Sequence, residues 1–365
     1  MRVVITGGGT GGHLFPALAV REALLGRVPG AEALFVGSAT GVEATLLPRR
    51  GYAFRGLPAA KVKGATLVGR VRAVLSLPGT VRQAGRILRE FRPVVVLGVG
   101  GYASAPTVLA AGLRRIPVVL HEQNAIPGLA NRTLGRLARR VAVSFEASAR
   151  FFPAGRTTVT GNPVRADIRP GNPQNARERL GVAAGRFTVF VFGGSQGAHT
   201  LNEAVAAALP LIEDLRDRVQ FIHAPGPREL DEVRRAYQQA GIAARVEGFF
   251  EDVALCYQAA NFVISRSGAG TVFELATMGK PALLVPYPYA ANDHQRANAE
   301  VLVERGAAWI LLDAVCDGPR IAAAVRSAEQ KPSQLLEIGR RAHSLARPDA
   351  AERIVDLLRQ AAKAA

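Results

Sequence analysis

Val3-Val4-Ile5-Thr6-Gly7-Gly8-Gly9-Thr10-Gly11-Gly12-His13 decides the fold of this chain. The apolar run Val3 to Thr6 reads as a buried strand, and Leu14 to Leu25 reads as a helix. Glycine between them lets the backbone turn tightly and lets a ligand approach it closely. The turn also leaves unpaired N–H groups at the positive end of the helix dipole, a geometry that binds phosphate. Gly7, Gly9 and Gly12 fit the G-x-G-x-x-G dinucleotide pattern. That pattern needs an acid about 20 residues on, at the end of the second strand, to hold a ribose. Here the second strand, Ala33-Leu34-Phe35-Val36, runs into Gly37-Ser38 without one, which argues against NAD. The chain also lacks G-x-x-x-x-G-K-[ST], so it is not a P-loop protein. The turn suggests a nucleotide or a pyrophosphate; a tight turn with no ligand is the plainer alternative.

A chain of 365 residues, 48% hydrophobic, predicts two domains with substantial cores. Cys256 and Cys316 are far apart and form no C-x-x-C, so neither a disulfide framework nor a zinc site is expected, and a reducing cytoplasm fits. The chain enters its first strand at Arg2-Val3, with no signal-peptide pattern. Val94 to Leu113 carries no charge and is long enough to span a bilayer. Gly98, Gly100, Gly101, Tyr102, Ser104 and Pro106 interrupt it, so a strand, a glycine turn and a helix from near Pro106 are predicted instead. The formal net charge is +17, and it is unevenly spread. Residues 1–165 hold 23 Lys/Arg and 6 Asp/Glu, whereas residues 166–365 hold 23 of each. The first half therefore faces something anionic: nucleic acid, a membrane surface or a phosphorylated substrate.

Apolar runs alternate with helical patterns throughout. Candidate strands lie at 3–6, 34–36, 94–97, 118–120 and 141–143, then at 188–192, 220–223, 245–247, 262–265 and 282–285. That alternation predicts an α/β protein with parallel sheets and right-handed crossovers. The Pro- and Gly-rich stretch from Gly161 to Asn175 reads as a linker. Beyond it the opening pattern recurs: Thr188 to Phe192 precedes Gly193-Gly194-Ser195-Gln196-Gly197, and Phe262 to Ser265 precedes Arg266-Ser267-Gly268-Ala269-Gly270-Thr271. The expected division is a first domain at 1–165, a second at 166–348, and a helix at 349–365 that returns to the first. Ile354, Leu357, Leu358 and Ala361 line one face of that helix.

Four clusters each follow a strand, where open α/β sheets bind ligands: Thr10 to His13, His121-Glu122-Gln123-Asn124, Gly193 to Gly197, and Arg266 to Thr271 leading to Glu274. With Gly100-Gly101-Tyr102, Gly161-Asn162-Pro163-Val164-Arg165 and His294-Gln295 before Asn298-Ala299, the chain resembles the MurG family of glycosyltransferases (glycosyltransferase family 28) over its whole length. The resemblance implies the GT-B fold, two Rossmann-like domains with parallel sheets facing across a cleft. It implies inverting transfer of N-acetylglucosamine from UDP-N-acetylglucosamine to the C4 hydroxyl of the muramic acid in lipid I (undecaprenyl-pyrophosphoryl-MurNAc-pentapeptide), giving lipid II for peptidoglycan synthesis.

Inverting transfer needs a base for the acceptor hydroxyl. His13 sits where a helix begins; the dipole there disfavours imidazolium, so the ring is expected neutral and able to take a proton. His13 as a cap or phosphate contact is the alternative. Glu122 is a second candidate base, and Glu122 and Tyr102 are candidates for orienting the acceptor. By resemblance, Ser195 and Arg165 contact the donor phosphates, the backbone around Phe250 contacts uracil, and Glu274 accepts the ribose hydroxyls. Gln295 and Asn124 match contacts to the donor sugar. Ala269, Gly270, Thr271, Val272 and Phe273 belong to the same UDP-N-acetylglucosamine site, and Thr10, Gly11 and Gly12 close over the donor. No D-x-D occurs, so no metal and no cofactor are expected.

From Lys61 to Arg92 there are eight Lys/Arg (Lys61, Lys63, Arg70, Arg72, Arg82, Arg86, Arg89, Arg92) against one acid, Glu90, with Leu67, Val68, Val71, Val74, Leu75 and Leu77 interleaved. That pattern suits the anionic cytoplasmic face of the cell membrane, peripherally bound; a solvated basic face on a helix packed on its own core is the alternative. The only Trp, Trp309, lies outside it. A diacylglycerol glycosyltransferase of the same fold and a non-catalytic nucleotide-sugar sensor compete with this reading. Nucleic-acid binding lacks a helix-turn-helix, zinc-finger or RNP motif and is not expected.

Overall fold

A computed structural model describes residues 1–8, 11–58, 67–194 and 196–363, with side chains in the helix Leu67–Phe91 described from residue 75 onward. The chain forms two compact units: Met1–Arg165 with Arg347–Ala365, and Ala166–Ala346.

The first unit is a seven-stranded parallel sheet. Its strands are β1 (Arg2–Thr6), β2 (Glu32–Ser38), β3 (Phe54–Leu57), β4 (Val95–Gly98), β5 (Val118–Glu122), β6 (Arg140–Val143) and β7 (Thr157–Val159), in the order β3-β2-β1-β4-β5-β6-β7. Strand order reverses between β1 and β4, which pair from Val3↔Val95 to Thr6↔Gly98. In β1, Val3 and Ile5 face one core and Val4 the other, and all three are buried. Continuous apolar runs are what a sheet covered by helices on both faces requires. The helix Ala350–Lys363 covers one face, placing Ile354, Leu357, Leu358 and Ala361 in the core that holds Leu14, Leu18 and Leu24. Arg27 Nη1 donates to the Glu352 carbonyl at 3.1 Å, fixing that helix against Gly11–Arg27.

The stretch 94–113 divides into β4, a turn with Gly100 and Gly101 at φ +88° and +78°, and the helix Ala105–Leu113. Among the described residues no helix is long and apolar enough to cross a membrane. The linker reading is corrected at its far end, because the helix Pro173–Leu180 begins inside it. Asn172 Oδ1 accepts from the Gln174 amide at 2.8 Å, and proline in the first turn loses no helical donor, so Asn-Pro there starts a helix.

The second unit is a six-stranded parallel sheet: β8 (Phe187–Phe192), β9 (Val219–Ala224), β10 (Ala244–Val246), β11 (Phe262–Ser265), β12 (Ala282–Leu284) and β13 (Trp309–Ile310), ordered β10-β9-β8-β11-β12-β13. Its reversal lies between β8 and β11. The core joins Val189, Val191, Leu201, Phe221, Ile264 and Ile321. Two parallel α/β units, each with a Rossmann-like reversal, agree with the expected fold class.

Candidate active site

In the first unit the glycine turns after β1 and β4 meet backbone to backbone. Gly7 and Gly8 have φ of +146° and +136°. A Cβ on Gly7 would lie 2.7 Å from the Gly100 carbonyl, and one on Gly101 would lie 2.5 Å from the Gly8 carbonyl. Side chains there would force the two turns apart. The Gly100 turn also carries the His13 ring: a Cβ on Gly100 would stand 3.0 Å from His13 Cδ2 and 3.1 Å from Asn131 Nδ2. His13, in the first turn of Gly11–Arg27, is half-buried and Gly12 is exposed. Phe15 lies one turn along, within 3.3 Å of a Cβ on Gly11, and the Arg165 guanidinium sits 5.4 Å over its ring. Tyr102 is half-buried, and Ser104 Oγ closes its turn by donating to the Gly101 carbonyl at 2.9 Å.

Glu122, at the end of β5, is buried and its carboxylate organises the following loop. Oε1 accepts from the Asn124 amide at 2.9 Å and from Asn124 Nδ2 at 3.2 Å. Oε2 accepts from Asn131 Nδ2 at 2.9 Å and from the Gly128 amide at 3.3 Å. Burial pushes the Glu122 carboxyl up, and these donors pull the other way. Asn131, which the sequence reading passed over, also donates to the His121 carbonyl at 3.1 Å and so joins β5 to the Gly100 turn. His121 is fully buried, with Nε2 3.2 Å from Ser144 Oγ and Nδ1 3.3 Å from Gln123 Nε2. Burial drives its pKa down to about 3; a backbone hydrogen bond at Gly161 opposes this, and the nearness of the His13 ring adds to it. Gln123 Nε2 donates to the Val99 carbonyl at 2.7 Å, tying the same turn to β5.

In the second unit the sites lie after β8 and β11. Gly194, Gly197 and Gly226 have positive φ, and a Cβ on Gly226 would lie 2.8 Å from the Gln196 carbonyl. The helix Ala269–Met278 starts at Gly268, which has no side chain to cap its first turn, leaving those amides for an anion. That helix carries Ala269, Gly270, Thr271, Val272, Phe273 and Glu274. Glu274 Oε2 accepts from the Tyr257 hydroxyl at 2.9 Å. Tyr257 meets Phe190 edge-on at 5.5 Å, and Phe190 meets Phe250 edge-on at 6.4 Å, so one aromatic stack backs both Glu274 and Phe250. Gln295 Oε1 accepts from the Tyr287 amide at 3.0 Å, its own carbonyl accepts from Ser267 Oγ at 2.8 Å, and Asn298 Nδ2 donates to the Ser267 carbonyl at 3.2 Å.

The structure thus gathers Gly11, Gly12, His13, Tyr102, Glu122, Asn124 and Arg165 within the first unit. It places Phe250, Ala269 to Glu274 and Gln295 within the second. Thr10 and Ser195 lie outside the described residues. Asn131 and Tyr257 were missed because their contacts join residues with no shared spacing or motif. Among the described residues no three His, Cys, Asp or Glu side chains come together as a metal site.

The chain matches the glycosyltransferase family 28 N-terminal domain over residues 3–143 and the family 28 C-terminal domain over residues 188–354. It is 44% identical over 356 residues to a Geobacter metallireducens protein named UDP-N-acetylglucosamine–N-acetylmuramyl-(pentapeptide) pyrophosphoryl-undecaprenol N-acetylglucosamine transferase, covering 98% of this chain and 97% of that one. A Citrifermentans bemidjiense protein of the same name is 43% identical over 361 residues, covering 98% and 99%. The crystal structure of Acinetobacter baumannii MurG superposes with a TM-score of 0.78 at 31% identity, covering 98% of this chain and 99% of that one. With both halves of the family and near-complete relatives in agreement, the chain belongs to glycosyltransferase family 28 and is a glycosyltransferase.

Proposed function

We propose that this enzyme moves N-acetylglucosamine from UDP-N-acetylglucosamine to the C4 hydroxyl of muramic acid in lipid I, with inversion at the anomeric carbon. The names of its relatives support the donor and the lipid-linked acceptor. One juxtaposition in the chain carries the chemistry: His13, at the start of a helix, rests against the Gly100 turn, which Asn131 and Gln123 tie to β5.

In this reading His13 takes the proton of the acceptor hydroxyl as its oxygen bonds to the anomeric carbon. The bond from that carbon to the diphosphate breaks, and its electron pair leaves with UDP. Glu122 spends both oxygens on Asn124, Gly128 and Asn131, so we assign it to shaping the loop, with Tyr102 and Asn124 facing substrate. Arg165 and Ser195 contact the donor phosphates, and Thr10, Gly11 and Gly12 close over the donor. Glu274 takes the ribose hydroxyls, the Phe250 backbone the uracil, and Gln295 the sugar.

The helix Leu67–Phe91 supports docking on an anionic cytoplasmic membrane face. Ala84, Ile87 and Leu88 are buried, while Arg82, Arg86 and Arg89 are exposed and Leu75 is 75% exposed. Lys61 and Lys63, and the side chains of Arg70 and Arg72, lie outside the described residues. The deciding assay offers labelled UDP-N-acetylglucosamine with a lipid I analogue and, separately, diacylglycerol. Label entering the lipid I analogue is expected. Transfer to diacylglycerol alone, or UDP binding without transfer to either, would refute the reading.

A further inference from the structure

The second unit contains an enclosed ion pair that joins the turn after β11 to Asp313. Arg266, 8% exposed, directs Nη1 at Asp313 Oδ1 and at the carbonyls of Val285 and Pro286, each at 3.2 Å. Its guanidinium also lies 5.6 Å over the Tyr287 ring. Asp313 is almost as enclosed, and its other oxygen, Oδ2, accepts from Thr200 Oγ1 at 3.3 Å. Thr200 stands in the first turn of the helix His199–Ala208, which follows the glycine turn after β8. At the other end of this chain of contacts, the amide of Tyr287 donates to Gln295 Oε1 at 3.0 Å. An unbroken series therefore runs from the helix behind one turn, through Asp313 and Arg266, to the segment that orients Gln295.

A buried pair is poor evidence of stability, because desolvation offsets much of the attraction. A charged donor shared among fixed acceptors, by contrast, sets geometry well: Nη1 of Arg266 alone joins the Asp313 carboxylate to the Val285 and Pro286 carbonyls. We infer that Arg266 and Asp313 are positioning residues for donor-sugar recognition, holding the Gln295 carboxamide at a set distance from the glycine turn after β8. This deepens the proposed function and rests on its assignment of Gln295 to the donor sugar. Neither residue touches the sugar in this account. Asp313 acts through Arg266, and Arg266 through the 285–287 backbone.

The test is Asp313→Asn in the full chain, which keeps the shape and removes the charge that anchors Arg266. Three quantities are read: the UDP dissociation constant, KM and kcat with UDP-N-acetylglucosamine, and the preference for that donor over its C4 epimer, UDP-N-acetylgalactosamine. A loosened sugar contact should raise donor KM and erode the preference by about tenfold, within the range that a misplaced polar contact removes, while UDP affinity changes less than about twofold. If Asp313→Asn fails to fold, Thr200→Val removes only the far hydrogen bond and should shift the preference in the same direction by a smaller factor. A lowered melting temperature with donor KM and epimer preference unchanged overturns the inference, since a purely structural pair behaves that way. Wild-type protein that binds no UDP would instead refute the nucleotide-sugar reading and this inference with it.

Discussion

Gly100→Ala tests whether the turn after β4 sets the position of His13. Gly100 sits at φ +88°, so alanine there strains the backbone by about 1–3 kcal/mol. Its methyl would also stand 3.0 Å from His13 Cδ2, 3.1 Å from His13 Nε2 and 3.1 Å from Asn131 Nδ2. Each neighbour must then give by a few tenths of an ångström. A domain stable by about 5–15 kcal/mol survives that strain, so kinetics can be read on folded protein. Displacement by 1 Å costs about a hundredfold in rate, and complete loss of a general base about 10²- to 10⁴-fold. We therefore expect kcat to fall by about ten- to a hundredfold, between wild type and His13→Ala, with UDP affinity unchanged. Gly112→Ala is the control: it lies in the helix Ala105–Leu113 with nothing within 4 Å of its Cβ. It should gain about 0.5–1 kcal/mol in the melt and leave kcat alone. Single-turnover transfer to a lipid I analogue measures the effect. A Gly100→Ala enzyme that melts earlier yet keeps wild-type kcat would refute the linkage of turn, ring and chemistry.

Other expected outcomes can be checked separately. Glu274→Ala should weaken UDP binding in calorimetry, and Tyr257→Phe should weaken it less, by about 1 kcal/mol for one hydrogen bond; full UDP affinity in both would remove Glu274 from the ribose site. His223 is buried between Tyr237 OH and Asn202 Oδ1, and burial lowers its pKa to about 3. The unfolded chain then binds a proton below about pH 6.5 that the folded chain refuses, so stability should fall with acid from about pH 6.5 towards 3, by about 1.4 kcal/mol per pH unit from this residue. Denaturant melts of His223→Gln should lose that share of the slope; an unaltered slope would contradict it. Arg82→Glu with Arg86→Glu should release the protein from anionic vesicles and leave any binding to neutral ones unchanged, at roughly 1 kcal/mol for each cation lost. Unchanged sedimentation with anionic vesicles would place the docking surface elsewhere.

Ten of the thirteen strands among the described residues were readable within two residues of their ends, and the three others share a physical reason. β4 and β8 are enclosed on both faces, which demands runs such as Val95-Val96-Leu97 and Val189-Phe190-Val191. β3, β7 and β13 lie at or near sheet edges and are partly exposed, so Phe54-Arg55-Gly56-Leu57, Thr157-Thr158-Val159 and Trp309-Ile310 carry no such run. The glycine turns were legible because positive φ admits few other residues, as at Gly100 and Gly101. What those turns rest upon was not. Asn131 meets Glu122 across nine residues and Arg266 meets Asp313 across 47, and such contacts exist only once helices pack.

The helix Ala350–Lys363 bears on how the enzyme is made. Synthesis runs from the amino terminus, so residues 1–165 emerge first while Ile354, Val355 and Leu358, which complete their core, are still untranslated. The whole of Ala166–Ala346 must be made in between, about 10–40 s at ordinary elongation rates. Throughout that interval Leu14, Leu18 and Leu24 lack their cover, and the helix bearing His13 lacks its support. The residues that close the second unit's core, Leu335 and Ile338, are made before the helix that closes the first. The proposed nucleotide-holding half is thus complete in sequence before the proposed proton-accepting half, whose core waits for residues 350–363.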